Sequence, residues 1–131
     1  MKHLFAAGAL ALATLVAPAH AQEAEITEMA LGPEDAKVTV MEYASFTCPH
    51  CATFHATVFP EIKENYIDTG KVRFIFREFP TPPANLSFAG SMMARCAADK
   101  GGPDAYFLII KALFANQREW VLGDSPRDEL L

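Results

Sequence analysis

Val38-Thr39-Val40-Met41-Glu42-Tyr43-Ala44-Ser45-Phe46-Thr47-Cys48-Pro49-His50-Cys51 is the stretch that decides the fold. Val38 to Phe46 is nearly continuously apolar. That predicts a parallel strand covered on both faces, with Glu42 as the exception. From Cys51 onward the apolar residues Cys51, Phe54, Val58, Ile62 and Tyr66 recur in steps of three and four, the spacing of a helix. Cys48 then falls near the N-cap, with Pro49 at the first helical position, which proline favours. Pro60 predicts a kink, because its ring would clash with the carbonyl of Ala56. Asp68-Thr69-Gly70-Lys71 closes the helix on a glycine turn. Val72 to Phe79 is the next strand, stopped by Pro80, Pro82 and Pro83. Strand, helix and strand at this spacing predict a right-handed βαβ unit over 38–79 with parallel strands.

Two helical segments follow. In the first, Asn85 or Ser87 is placed to cap, and Phe88, Met92, Cys96 and Met93 are expected to face inward. A cysteine on that stripe is expected to be buried and unreactive. Lys100-Gly101-Gly102-Pro103 separates this segment from the second, about Asp104 to Gln117, whose apolar stripe is Tyr106, Phe107, Ile110, Leu113 and Phe114. Trp120 is expected in the core. Residues 123–131 look like a loop entering another helix.

The first residues have the form of a targeting segment. Lys2 and His3 precede an apolar run from Leu4 to Val16, and Ala19-His20-Ala21 has the small-x-small form of a signal-peptidase site. The run is too short to span a bilayer, which needs about 20 residues. The expectation is therefore a cleaved leader at 1–21, a polar tail and turn at 22–36 and one domain from 37 to 131. Export in a bacterial-looking chain leads to the periplasm, where disulfides persist. The formal net charge is −5, with 16 acidic and 11 basic residues. No basic run is present, which argues against a nucleic-acid partner. Three cysteines are too few for a disulfide scaffold.

The chemistry concentrates at Cys48-Pro49-His50-Cys51. The thiolate is the nucleophile in disulfide exchange. Unpaired N–H groups at a helix start point at a sulfur placed there. The dipole is worth about 0.3–2 kcal/mol, and His50 can add to it by charge or hydrogen bond. Cys51, further into the helix, is the expected resolving thiol, and one helical turn brings it close enough to bond Cys48. Glu42 precedes Cys48 by six residues. An acid on a buried strand is expected to have a task, here as proton acceptor or relay for Cys51. Zinc held by Cys48, Cys51 and His55 is the weaker alternative, since a second ligand pair is absent. Ala52 stands where haem attachment needs histidine.

The segment 38–51 resembles the active-site segment of the DsbA family of thioredoxin-fold oxidoreductases. The runs Tyr66 to Phe74 and Arg77-Glu78-Phe79-Pro80 are similar to that family too. So are Arg95-Cys96-Ala97 and Phe114 followed by Gln117 and Trp120. The resemblance covers roughly residues 31–122. It implies an α/β, thioredoxin-like fold with a helical insertion from about 84. It also implies an oxidant that donates its disulfide to newly exported polypeptides and regains it from a membrane quinone-linked partner, with no bound cofactor. Cys48 carries over as nucleophile, Cys51 as its partner, Pro49 and His50 as the pair between them, His50 as thiolate stabiliser and Glu42 as the buried acid. The Pro-His pair matches the oxidising members of the family. The family's cis-proline strand and final helix have no counterpart before Leu131, so the expectation is the N-terminal portion of a longer protein. A pathway-specific reductase or isomerase, and a non-catalytic module, are the readings left open.

Overall fold

The computed structural model describes residues 27–125. The expected leader at 1–21 and the chain beyond 125 lie outside them. Among the described residues the sheet has three strands, β1 (Met29–Leu31), β2 (Val38–Ala44) and β3 (Val72–Glu78), in the order β1-β3-β2. β2 and β3 are parallel, with Val38 opposite Val72 and Ala44 opposite Glu78. The parallel βαβ unit is thus as its sequence predicts. β1 pairs antiparallel with β3. Its three residues fall in the stretch expected to be tail and turn, too short to show a strand period.

β2 departs from expectation. It lies at the sheet edge and ends at Ala44, and Tyr43 is 59% exposed. The aromatic contacts of the helices fall on Phe74 and Phe76, side chains of one sheet face. Met41 and Tyr43 lie opposite Ile75 and Arg77 on the other face and stay exposed. On the covered face Val38 and Val40 are exposed as well, and β2 is shielded only toward its end, at Glu42 and Ala44.

The helix after the two-cysteine turn is broken, not kinked. α1 (Pro49–Thr57) stops at Val58, and α2 (Phe59–Ile62) starts anew with Pro60 in its first turn. Proline has no N–H to give and is at home there. A π-turn over Lys63–Ile67 follows, where the Asp68 N–H reaches back to the Lys63 carbonyl at 2.8 Å. The break and the extra residue of the π-turn shift the helical phase. Val58 and Tyr66, expected inside, are exposed, while Ile67 is buried and Phe59 packs against Phe74.

α3 (Ala84–Ala115) is two helical halves joined at Gly102, whose φ of 67° and ψ of −162° leave the helix just before Pro103. That break is where Lys100-Gly101-Gly102-Pro103 predicts one. The second half buries Tyr106, Ile110, Leu113 and Phe114, as its stripe predicts, with Phe107 packed beside them. α4 (Gln117–Leu122) buries Trp120, whose indole N–H donates to the Leu113 carbonyl.

In the first half of α3 Met93 packs against the core as expected, but Phe88, Met92 and Cys96 do not. Ser87, Gly90 and Ala94 are buried, Phe88 and Met92 are 56% and 66% exposed, and Cys96 is exposed. The reason is close approach. A Cβ on Gly90 would lie 3.1 Å from Phe46 Cβ and 3.2 Å from its ring, so only a small-residue face fits against Phe46. Neither Asn85 nor Ser87 caps the helix. Pro83 holds the N-cap position, and the Pro82–Pro83 bond is cis.

A half-buried polar cluster ties the end of β3 to both halves of α3. Arg95 donates to both Glu78 carboxylate oxygens at 2.6 Å, and the Tyr106 hydroxyl donates to one of them at 2.6 Å. Burial acts to raise the Glu78 pKa, but these donors outweigh it and hold the carboxyl below its usual range. A depressed carboxyl contributes stability that is present above its unfolded pKa and lost as pH falls through the folded one. Acid unfolding of Glu78→Gln, followed by circular dichroism, is therefore expected to lose part of the parent's stability decline below about pH 4.3, the ordinary glutamate range. Gly90→Leu is expected to lower urea stability by about 1–3 kcal/mol through overpacking against Phe46.

Candidate active site

β2 runs into Ser45-Phe46-Thr47, and this connection is pinned from three sides. Ser45 Oγ lies 2.9 Å from both Thr47 Oγ1 and Ser87 Oγ, and the Thr81 N–H donates to it at 3.2 Å. Thr47 Oγ1 donates to the carbonyls of Thr81 and Pro82. From α4, Gln117 Nε2 donates to the Phe46 carbonyl at 2.7 Å and to the Cys48 carbonyl at 2.9 Å. The turn is thus held by buried polar groups from two distant helices. The Cys48 N–H bonds the Ser45 carbonyl, and Cys48 becomes the N-cap of α1 with extended φ and ψ.

That geometry sets the two thiols apart. Both are free and half-buried. Burial raises the Cys48 pKa. The hydrogen bond from the Cys51 thiol and the main-chain N–H groups of Cys51 and His50 outweigh it, and the net direction is down. Burial pushes the Cys51 thiol up, its hydrogen bond to Cys48 and the charges of Cys48 and Glu42 add to this, and it reaches about 11. The first turn of α1 carries no acidic residue to oppose an anion.

The other expected site residues are placed as follows. Pro49 starts α1 and is exposed. His50 is exposed; what it turns toward Cys48 is its main-chain N–H, and its ring makes no hydrogen bond among the described residues. Glu42 lies on the covered sheet face beside Phe76, its side chain 14% exposed. It meets His55 Nε2 at 3.0 and 3.2 Å through its two oxygens. His55 therefore faces Glu42, and among the described residues no group of three or more His, Cys, Asp or Glu could hold a metal ion. Sequence reasoning weighed His55 only as a zinc ligand. Its place one turn after Cys51, on the same helix face, was the available signal. Gln117 entered only through the resemblance, and Ser45, Thr47 and Ser87 left no signal beyond being polar in apolar surroundings.

Comparison with known proteins agrees with this geometry. The thioredoxin family model matches residues 24–129. The chain belongs to the thioredoxin family. The DsbA-like branch is marked by the solved structures it resembles. The chain is 35% identical to the crystal structure of Wolbachia pipientis alpha-DsbA1, with a TM-score of 0.61, covering 79% of this chain and 57% of that one. BdbD from Bacillus subtilis is 32% identical, with a TM-score of 0.55, covering 67% of this chain and 46% of that one. A putative protein-disulfide oxidoreductase of Rickettsia bellii is 40% identical over 103 residues, which are 79% of this chain and 38% of that relative. The chain thus spans well under two thirds of the length of these relatives. The architecture is the thioredoxin-like α/β fold with a helical insertion, as the sequence predicts.

The thiol asymmetry predicts a labelling pattern. Iodoacetamide applied to the reduced protein near neutral pH is expected to alkylate Cys48 and the exposed Cys96. Cys51 is expected to react only as pH approaches about 11. Peptide mass spectrometry across a pH series reads the order.

Proposed function

We propose that this chain carries the active centre of a thiol:disulfide oxidoreductase that oxidises exported polypeptides in the periplasm. Cys48 is the electrophile of the disulfide form and the leaving thiolate of the reduced form. Cys51 is the resolving thiol. The observation that carries the reading is the opposed bias on the two sulfurs, Cys48 down and Cys51 up. A stabilised Cys48 thiolate favours the dithiol state, which makes the disulfide an oxidant. Pro49 supports the role by starting the helix whose N–H groups face the sulfur, and His50 by presenting one of those groups. Glu42 is the acid that takes or gives the Cys51 proton. Relatives named protein-disulfide oxidoreductase support the chemistry, and one named disulfide bond formation protein D supports the direction of transfer.

The apolar run before Ala19-His20-Ala21 supports export through a cleaved leader. Among the described residues no helix is long and apolar enough to cross a membrane. In this reading the substrates are reduced polypeptides with exposed thiols, a quinone-linked membrane partner restores the disulfide, and the sulfur pair itself carries the electrons.

The test is disulfide transfer to a reduced, unfolded test polypeptide. Cys48→Ser is expected to abolish transfer, and Cys51→Ser, given the disulfide form of the same polypeptide, to accumulate a mixed disulfide through Cys48. Equal transfer by Cys48→Ser removes the enzyme reading. The potential of the pair, measured against glutathione, is expected above about −200 mV. A value near the −270 mV of thioredoxin, roughly, would point to a reductant instead.

A further inference from the structure

His55 is the histidine that the exchange chemistry leaves without a task. It lies on α1 one turn beyond Cys51, with its side chain 5% exposed, stacked on Phe114 at a ring separation of 4.3 Å and packed on Phe59 at 4.8 Å. A histidine held between aromatic rings has its orientation fixed. Its Nε2 spans both oxygens of Glu42, at 3.0 and 3.2 Å. His55 also lines a cavity of about 810 Å³ between α1, α2 and the second half of α3, together with Ala52, Ala56 and Phe59. Lys63, Asp68, Asp104 and Lys111 also line that cavity. Lys63 and Asp68 pair with each other at 2.6 Å, and Asp104 and Lys111 are exposed, so none of the four is hydrogen-bonded to the imidazole. The charged group that meets His55 is Glu42.

We propose that His55 is a positioning residue and proton carrier for Cys51, linking the Glu42 carboxylate to the cavity. This rests on the exchange reading above. When Cys48 has formed a mixed disulfide, the Cys51 thiol loses its proton to Glu42, and Glu42 passes it to His55 Nε2. The imidazolium releases a proton from its other nitrogen on the cavity side. The Cys51 thiolate attacks Cys48 Sγ, the Cys48–Cys51 bond forms, and the partner's sulfur leaves as a thiolate with the bonding pair. In the opposite direction, Cys51 leaves as a thiolate and takes its proton back along the same path. Proton and electron pair are conserved in both: the partner's disulfide is the oxidant when the Cys48–Cys51 bond forms, and the Cys48–Cys51 disulfide is the oxidant in the opposite direction.

The experiment follows the rate of mixed-disulfide resolution against pH in this chain, with a glutathione mixed disulfide at Cys48 as the probe. His55→Gln keeps an amide to hold Glu42 but carries no proton. It is expected to slow resolution below neutral pH by on the order of 10- to 100-fold, the lower part of what positioned proton transfer contributes. The deficit should shrink as pH rises, because solvent base then takes the Cys51 proton. The ultraviolet titration of Cys48 should stay as in the parent. His55→Ala opens the site onto the cavity, and added imidazole is expected to restore its rate in a saturable way. A parent-like pH profile in His55→Gln, or a slow His55→Ala that imidazole does not restore, would overturn the proposal while leaving the exchange reading intact. If His55→Gln does not fold, the imidazole dependence of His55→Ala decides alone. A parent chain that forms no mixed disulfide at all overturns both.

Discussion

Two main-chain N–H groups, those of His50 and Cys51, set the terms for the rest of this fold. They are free because an α-helix leaves its first donors unpaired, and they face a sulfur because Cys48 is the N-cap. A helix start can stabilise an anion only where the capping atom is held in place. That accounts for the buried polar groups gathered around Ser45 to Cys48. Gln117 fastens the carbonyls on either side of Thr47, and the Ser45, Thr47 and Ser87 hydroxyls lock the strand exit to the Pro-rich loop and α3. Each group would be expensive to bury alone, and each is satisfied.

The helical insertion serves the turn as well as covering the sheet. Its first half reaches Phe46 by presenting Gly90. Its second half delivers Phe114 against both Phe46 and His55, and Gln117 follows directly in α4. The Glu78–Arg95–Tyr106 cluster fixes the two halves of α3 to the end of β3. A change on the α3 stripe near Phe114 therefore acts on the active turn through packing, without touching either cysteine.

Much of this was legible because it rests on local rules. The parallel unit follows from two apolar runs, a helical period and glycine turns; the break at Gly102 follows from Gly-Gly-Pro; and the Cys48 N-cap follows from Pro49. What stayed hidden depends on partners far away in sequence. Apolar periodicity put Phe88, Met92 and Cys96 inside α3, but the distance of closest approach to Phe46 chose the small face instead. Pro60 announces a disturbance without saying that the helix restarts; Ile62 keeps its inward place, but beyond the π-turn Ile67 is buried where the spacing puts Tyr66. The edge position of β2 exposes residues whose composition suits a covered strand. Glu42 was visible as an oddity on an apolar strand. Its histidine was not, because only the packing of α1 over β2 brings them together. Gln117 is 69 residues from Cys48, and no spacing rule connects them.

In the exchange we propose, the two sulfurs divide the thermodynamic and kinetic parts between them. At neutral pH an ordinary thiol is already protonated, so raising the Cys51 pKa to about 11 leaves the energy of the reduced state nearly unchanged. Lowering the Cys48 pKa acts on the side that does change it: each unit by which a thiol pKa lies below the working pH is worth about 1.4 kcal/mol, equivalent to about 30 mV in a two-electron couple. Oxidising strength is therefore set at the N-cap, by N–H groups that the fold cannot withdraw. The raised Cys51 thiol instead limits how fast the pair can close, because it holds its proton when it must attack. In the proposed exchange Cys51 needs a proton acceptor when it attacks, and Glu42, whose charge acts on Cys51 and whose carboxylate meets His55, is the residue we propose for it.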